Sequence, residues 1–324
     1  MEIRIEIQET DALKIKADVL VLKYAQEFFG VDSLAFSQLA LLHKNIERKL
    51  PKPNEFLILE SLGSLGANYV LFAGVDRISK FRYKEIRSFS FRSLKHLAET
   101  KADAEHICLT MHGANYGLDE TEAFISQIAG IVEAIAKGLY PLYLKKISIA
   151  EIFEMRANRL RAILRKLLPE GVINVGMEDG FASRSIYRGQ LNEAGITSED
   201  KPLIFVAMPF DKKMDDTFHY GIRNAVNNAG FLCERIDEVV FTGDILDLIR
   251  RRIGQARLVI ADLTTANPNV YLEVGYAWGL GIPTVLIVQD AEELKFDVKG
   301  QKCIIYSGIR ELEEKLSKEL LGLR

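Results

Sequence analysis

Short runs of apolar residues alternate with amphipathic stretches along most of the chain. In its N-terminal part, the segments MEIRIEI, ADVLVLKYA, ANYVLFAGV, ICLTMHG and KKISIAEIF have the length and composition of strands. Apolar residues at helical spacing predict helices at about 85–100, 119–137 and 153–168. This alternation predicts a mixed α/β domain over residues 1–168.

A second alternation of strands and helices begins at residue 202. Strands are predicted at PLIFVAMPF, FLCERI, ARLVIADL, PTVLIVQ and CIIYS, and helices at about 214–229, at 243–254, after NPN and at the C-terminus. Apolar strands separated by helices are typical of a parallel sheet covered on both faces. We therefore expect a flavodoxin-like or Rossmann-like domain over 202–324. The interval 169–201 carries glycines and charges and is predicted to be a linker.

Composition narrows the class of protein. The 324 residues are 48% hydrophobic, which is enough for two domains with separate cores. The formal net charge of -3 gives no basic field for nucleic acid or an anionic membrane. Cys108, Cys233 and Cys303 are too far apart in sequence to indicate a metal site or a disulfide framework. No apolar run approaches the roughly 20 residues that span a bilayer, and the N-terminus lacks a signal-peptide core, so a cytoplasmic protein is expected.

One carboxylate lies inside the apolar stretch VYLEVGYAW. The sequence NPNV offers Asn267 as N-cap and Pro268 as the first helical residue, which places Glu273 about one and a half turns inside a helix. Helical spacing puts Glu273 at the edge of the apolar face and directs it toward the strand ends. An acid in such surroundings is either held by nearby donors as a structural group or has a chemical task.

A second acid, Asp262, ends the apolar run LVIAD. Ligands of parallel α/β sheets bind beyond the carboxyl ends of the strands, so Asp262 and Glu273 are predicted to share one pocket there. A turn or capping role is the alternative for Asp262. The substrate-binding residues predicted beside the two acids follow the strand ends: Met208, Pro209, Phe210, Thr264, Asn267 and Asn269.

These motifs together resemble a known family. FVAMPF, ARLVIADLT, and NPNVYLEVGYA followed by GIPTVLI are similar to the nucleoside 2-deoxyribosyltransferase-like proteins and the related TIR-like domains, from Leu203 to the C-terminus. The resemblance implies that Glu273 attacks or stabilises the anomeric carbon of a ribosyl or deoxyribosyl group and that Asp262 helps to handle the base or sugar. It also implies a homo-oligomer, because members of this family often build their sites across subunits.

The expected chemistry is cleavage of a base–ribosyl bond without a metal or cofactor. Breaking that bond develops oxocarbenium charge that a carboxylate can stabilise, and a second acid can protonate the departing base. Some transferases of the family carry an acid at the position of Asn267. Hydrolysis of a nucleotide, or of NAD as the TIR-like side of the resemblance suggests, is therefore expected at least as much as deoxyribosyl transfer. A module that binds a nucleotide without cleaving it is the alternative from a different class.

The N-terminal part carries a fainter resemblance. KADVLVLKYA, YVLFAGVD, HICLTMHGANYGLDE and KKISIAEI are similar to macro-like domains, including the version at the N-terminus of leucine aminopeptidases. That resemblance implies an ADP-ribose-type ligand at residues 111–117, whose glycines let the backbone approach phosphate. A sensing role in a stress or defence effector is expected. His112 is also consistent with an ordinary loop residue.

Two basic clusters and one aromatic pair complete the candidates. Lys212 and Lys213 follow the first strand of the second domain, and residues 250–252 are three arginines at the end of a helix. Each cluster is consistent with a solvated surface or with a phosphate anchor. Tyr271 and Trp278 share the helix face opposite the sheet, where another subunit could cover them.

Overall fold

The computed structural model describes residues 2–113, 116–175, 188–236 and 245–323. The chain forms two compact units: unit 1 is Met1–Ala114 with Glu120–Ser198, and unit 2 is Asn115–Asp119 with Glu199–Arg324. Unit 1 contains a mixed sheet and unit 2 a parallel sheet, each accompanied by helices. The predicted fold class, two α/β domains, is therefore confirmed.

Unit 1 is built on a seven-stranded sheet. Its strands are β1 (Glu2–Glu9), β2 (Val19–Tyr24), β3 (Phe56–Glu60), β4 (Tyr69–Gly74), β5 (His106–Thr110), β6 (Lys146–Glu151) and β7 (Val172–Asn174). They lie in the order β3-β4-β2-β5-β6-β1-β7. The pairs β3–β4 and β1–β7 are antiparallel, whereas the other pairs are parallel. Strand β2, VLVLKY, is buried along almost its whole length, as expected of a strand covered on both faces.

The described helices of unit 1 include those predicted from apolar spacing. They are α1 (Gly30–Ala40), α2 (Tyr83–Thr100), α3 (Glu120–Ala136), α4 (Glu154–Leu167) and α5 (Arg188–Glu193). The predictions at 85–100, 119–137 and 153–168 correspond to α2, α3 and α4. Helices α2 and α3 pack against each other, and α4 packs on β1.

Part of the interval 169–201 is regular structure of unit 1 rather than a linker. Strand β7 extends the sheet, and the N–H of Ile5 donates to the carbonyl of Gly171 at 2.7 Å. Helix α5 packs against α3, and Arg87 donates to the carbonyls of Leu191 and Ala194 at 3.0 and 2.7 Å. These partners are distant in sequence, so glycine and charge content could not reveal them. Residues 176–187 lie outside the described residues.

Unit 2 contains five parallel strands. They are β8 (Leu203–Ala207), β9 (Leu232–Glu234), β10 (Leu258–Asp262), β11 (Thr284–Val288) and β12 (Cys303–Ile305). Their order across the sheet is β12-β11-β10-β8-β9. Numbered within the unit and read from the other edge, this is the order 2-1-3-4-5 of flavodoxin-like sheets. The direction of winding reverses between β8 and β10.

The helices of unit 2 pack in two pairs. Helix α6 (Arg223–Asn228) packs on α9 (Ile309–Leu321), and α7 (Ile245–Gln255) packs on α8 (Pro268–Gly279). The predicted helix at 214–229 differs in its first part, because Thr217–Ile222 forms a π-helical turn before α6. A β-carbon at Gly221 would lie 2.9 Å from Leu312 Cδ2, so this glycine permits the close approach of α9.

Candidate functional site

The reversal of winding in unit 2 determines where its crevice opens. Chain leaving β8 and chain leaving β10 turn to opposite sides of the sheet, and this separation leaves space beyond the carboxyl ends of the two strands. Met208, Pro209 and Phe210 follow β8 directly, and the segment from Leu263 to α8 follows β10. The predicted site residues therefore come from the two strands that border the switch point.

Helix α8 begins as its sequence predicts. Asn267 has extended backbone angles, and its side-chain oxygen accepts a hydrogen bond from the N–H of Asn269 at 2.9 Å. Pro268 occupies the first helical position, where its missing N–H has no helical partner to lose. The predicted cap is confirmed. It fixes Glu273 in the second turn of α8.

The turn between β10 and α8 holds two non-glycine residues with left-handed backbone angles. The φ angles are 66° at Thr265 and 47° at Ala266, a region in which a β-carbon costs about 1–2 kcal/mol. The turn is held by hydrogen bonds from Leu263 N to the carbonyl of Ile287 at 2.9 Å and from Ala266 N to the carbonyl of Leu263 at 3.0 Å. Such backbone strain is concentrated at functional sites, where surrounding contacts maintain it.

A cavity of about 180 Å³ opens beside α8 at this switch point. Of the predicted site residues, the structure brings Met208, Phe210, Asn267, Asn269 and Glu273 together in its lining. On α8, five residues at helical spacing form one wall: Asn269, Val270, Leu272, Glu273 and Tyr276. The half-buried carboxylate of Glu273 thus lies among apolar and amide side chains, at the edge of the buried face that contains Val270 and Val274.

Helix α7 forms the facing wall. The residues that contribute are again at helical spacing: Leu246, Ile249, Arg250 and Ile253. Arg250 belongs to the arginine cluster considered in the sequence as a phosphate anchor, whereas Leu246, Ile249 and Ile253 were not predicted to belong to the site. The sequence showed these residues as the apolar face of a predicted amphipathic helix. It did not show which other helix packs against that face. Arg250 and Glu273 therefore place opposite charges on two walls of one cavity.

Asp262 occupies a different position from the one expected. Its carboxylate is fully buried and accepts hydrogen bonds from Tyr306 Oη at 2.8 Å and from the N–H of Thr264 at 3.0 Å. Among the described residues that line the cavity, Asp262 is not included. Burial and the charge of Asp262 raise the pKa of Tyr306 well above its usual range, and they raise that of Cys303 to about 11. The two acids follow the same strand but do not share this cavity wall.

Pro209 and Thr264 also lie behind the cavity surface. Both are buried and neither belongs to its described lining. The hydroxyl of Thr264 accepts a hydrogen bond from the N–H of Gln289 at 3.1 Å, which ties the turn after β10 to the end of β11. In the structure these two residues support the wall.

A buried cation stabilises the loop that follows β8. Nη1 of Arg235 lies 3.6 Å from the sulfur of Met208, and its guanidinium lies 4.0 Å from the ring centre of Phe218 and 6.0 Å from that of Phe210. Nη2 of Arg235 lies 3.6 Å from a carboxylate oxygen of Asp215. Arginine over aromatic faces gains cation–π attraction that increases as the group is desolvated. Arg235 therefore holds the Met208–Phe210 wall from behind.

The predicted ligand loop at 111–117 has residues in both units and is described only in part, because residues 114 and 115 lie outside the described residues. His112 is fully buried, with its ring edge-on to Phe81 and Phe89 at centroid distances of 5.9 and 4.6 Å. Burial and the charge of Lys23 lower the pKa of His112 well below its ordinary value. The described surroundings of this histidine are those of a core residue.

Across residues 2–113, 116–175, 188–236 and 245–323, no group of three or more His, Cys, Asp or Glu side chains is placed to hold a metal ion. In that same part of the chain, every helix is too short or too polar to cross a membrane.

Comparisons with known proteins find similar structures for the N-terminal half. No family profile matches the chain, and no curated protein matches it significantly. The Oceanobacillus iheyensis macrodomain with ADP is 13% identical, with 52% of this chain and 97% of that chain covered and a TM-score of 0.38. The Trypanosoma brucei macrodomain in complex with ADP is 13% identical, with 50% and 69% covered and a TM-score of 0.38.

A third similar structure is the macrodomain of Thermus aquaticus DarG, 17% identical, with 45% of this chain and 97% of that chain covered and a TM-score of 0.34. All three are macrodomains, the class that residues 1–168 are expected to resemble. The expected resemblance of unit 2 to nucleoside 2-deoxyribosyltransferase-like and TIR-like proteins stays a prediction.

Proposed function

We propose that unit 2 hydrolyses the bond between base and ribose in a nucleotide or in NAD, with Glu273 as the catalytic carboxylate. The observation that carries the proposal is the position of Glu273 in the wall of a cavity at the topological switch point of a parallel sheet. Ligands of such sheets bind at this place, and largely apolar pockets with a few polar groups are typical binding sites.

The carboxylate would act at the anomeric carbon. As the C1′–N bond breaks, its electron pair leaves with the base and positive charge develops on the sugar. Glu273 stabilises that charge, or adds to C1′ to give a glycosyl ester that water then hydrolyses. Water supplies the new hydroxyl on C1′. Its proton neutralises the base released from a nucleotide, whereas nicotinamide leaves NAD as a neutral base and the proton passes to solvent. The apolar lining around Glu273 strengthens the attraction because it lowers the local dielectric.

Other lining residues have roles that follow from their chemistry. The amides of Asn267 and Asn269 can hydrogen-bond sugar hydroxyls, although the side-chain oxygen of Asn267 already accepts a hydrogen bond from the N–H of Asn269. Phe210 and Tyr276 offer aromatic faces on which a base can stack. Asp262, which Tyr306 and Thr264 hold behind the turn, is proposed as a positioning residue rather than the acid that protonates the base.

The burial of Asp262 favours a second candidate function. Without a second carboxylate among the described lining residues, the proton that the leaving base of a nucleotide needs must come from water or another group, whereas nicotinamide leaves NAD without it. A site that binds a nucleotide without cleaving it needs no such acid. Unit 2 as a non-catalytic nucleotide-binding module is therefore the alternative, and deoxyribosyl transfer is the remaining catalytic one.

For unit 1 we propose a sensing role with an ADP-ribose-type ligand. The proposal rests on the macro-like sequence resemblance of residues 1–168. Titration of the full chain with ADP-ribose, followed by calorimetry, tests it. Saturable binding supports the role, and the absence of a heat signal at millimolar ligand contradicts it.

The catalytic proposal is tested by incubating the full chain with NAD, nucleoside 5′-monophosphates and deoxynucleosides and measuring released base by chromatography. Glu273→Gln should lower base release by about 100-fold or more, because the amide carries no charge to offer the sugar. Glu313→Gln is the matched control, since Glu313 is also a half-buried glutamate on a helix of unit 2.

The outcomes separate the candidates. Release of base by the wild type and the Glu313 variant, but not by the Glu273 variant, supports the enzyme. Binding without release in all three proteins favours the binding module. Addition of a second free base during the reaction identifies a transferase, because a new nucleoside then forms in place of free sugar.

A further inference from the structure

The three consecutive arginines of α7 have different surroundings. Arg252 lies 3.3 Å from the buried carboxylate of Glu234, so it neutralises an acid of β9. Arg251 is exposed and Nε donates weakly to the carbonyl of Asp247 at 3.4 Å. Arg250 alone of the three belongs to the described lining of the Glu273 cavity. The three arginines therefore have different positions: Arg252 pairs with a buried acid, Arg251 lies on the surface, and Arg250 lies at the candidate site.

Arg250 is held only loosely by the protein. Its described ion pair is with Asp247, at 3.5 Å between Nη1 and Oδ1, and both side chains are more than half exposed. A pair of this kind contributes little to stability because water screens it. The guanidinium can consequently exchange Asp247 for an anionic group on a bound molecule. An extended arginine can also form two parallel hydrogen bonds to a phosphate, which is a stronger partner than one distant carboxylate oxygen.

The two charged residues in the cavity lining favour one orientation of a bound ligand. Of the described lining residues, Arg250 on α7 is the cation and Glu273 on α8 is the acid, and the others are apolar side chains, two amides and the phenol of Tyr276. A nucleoside phosphate carries its negative charge at one end of the ribose and the scissile bond at the other. Placing phosphate against Arg250 keeps it away from Glu273, which repels it, and brings the sugar to α8.

We propose that Arg250 is a specificity-determining residue that binds the 5′-phosphate of the ligand, so that this site takes nucleoside phosphates and dinucleotides in preference to nucleosides. The inference rests on the proposed function, because it assigns the substrate class of the same cavity. Lys212 and Lys213, the other sequence candidates for phosphate, are exposed in a short turn and do not belong to the described lining.

Calorimetric titration of the full chain with matched ligand pairs tests the proposal. The pairs are AMP with adenosine and nicotinamide mononucleotide with nicotinamide riboside. All proteins carry Glu273→Gln so that binding is measured without turnover. In this background, we expect at least one phosphorylated ligand to bind about tenfold or more tightly than its nucleoside, as a charge-assisted hydrogen bond provides.

Variants of α7 identify the residue responsible. Arg250→Gln should abolish the preference for the phosphorylated ligand, because it weakens binding of that ligand about tenfold more than binding of the nucleoside. Arg250→Lys should retain part of it, because the charge stays while the bidentate geometry is lost. Arg251→Gln is the matched control, an adjacent exposed arginine of the same helix outside the described cavity lining, and should keep the full preference.

Three results overturn the proposal: equal affinity for both members of each pair, equal losses in the Arg250 and Arg251 variants, or no binding of any of the four ligands. Failure of the catalytic proposal would look different. In that case the phosphate preference and its loss in Arg250→Gln remain, while the protein with Glu273 intact releases no base.

Discussion

Asp262 and Glu273 are acids near the same strand ends, and their surroundings give them different tasks. Asp262 is fully buried, and two donors, Tyr306 Oη and Thr264 N–H, satisfy its oxygens. Glu273 is half-buried and lines a cavity. Since a buried carboxylate depends on its hydrogen bonds, Asp262 should contribute to stability, whereas the position of Glu273 in the cavity lining puts it within reach of a ligand.

Removal of one donor tests the structural role of Asp262. Tyr306→Phe should lower the free energy of unfolding by about 1–3 kcal/mol, because a buried carboxylate oxygen loses its hydroxyl donor. Tyr271→Phe is the control, since the Tyr271 hydroxyl accepts an exposed hydrogen bond from Lys295 N at 3.2 Å. Urea unfolding of both variants measures the difference. Equal losses in the two variants would contradict the assignment.

His112 presents the opposite case, a base kept neutral by burial. Burial first, and then the charge of Lys23, lower its pKa well below the ordinary value. In the unfolded chain the same ring takes up a proton below about pH 6.5. Stability that is present above this pH is therefore lost as the pH falls, because the unfolded state binds a proton that the folded state does not.

The expected loss between pH 7.5 and pH 5.5 is about 1.4 kcal/mol for this one group. His112→Phe, which can pack edge-on to Phe81 and Phe89, should remove that part of the pH dependence. His43→Gln should retain it, because His43 is only partly covered. Hydrogen exchange of unit 1 peptides in urea at the two pH values provides the measurement. An unchanged pH slope in His112→Phe would exclude the histidine as its source.

At the scale of elements, the local sequence was sufficient to predict where α8 begins, but it was insufficient to predict which elements lie next to it. Within the motif NPNV, Asn267 and Pro268 mark the start of the helix, and helical spacing then places Glu273 at the edge of its apolar face. The lining residues of α7 could not be predicted in this way, because the sequence does not show which helix packs on α8. The partner of Asp262, Tyr306, follows strand β12, and only the folded sheet brings the two together.

The cap of α8 gives a prediction at this scale. Asn267→Ala should lower the free energy of unfolding by about 1 kcal/mol, because the N–H of Asn269 loses its side-chain acceptor at the helix start. Asn269→Ala removes an exposed amide two residues further along the chain and should change stability by less than about 0.5 kcal/mol. Chemical unfolding of the pair distinguishes them. A loss confined to Asn269→Ala would reverse the assignment of the cap.

At the scale of the whole molecule, periodicity indicated the α/β class of both units, because strand and helix spacing are local properties. The sheet orders were not accessible in the same way. Strand β7 has three residues and pairs with β1 at the other end of unit 1 in sequence. In unit 2 the switch point arises from the order of strands, and it determines that loops after β8 and β10 meet in one site.

The outer side of α8 supports a prediction about association. Trp278 and Leu280 are 38% and 48% exposed at the C-terminal end of this helix, and a second subunit would remove these apolar side chains from water. We expect concentration-dependent oligomers in sedimentation velocity. Trp278→Arg should shift them toward monomer, because a guanidinium must lose its water at such a contact. Leu142→Arg, at a 66% exposed leucine of unit 1, should not. A wild-type protein that sediments as a monomer at every concentration would rule out association through α8.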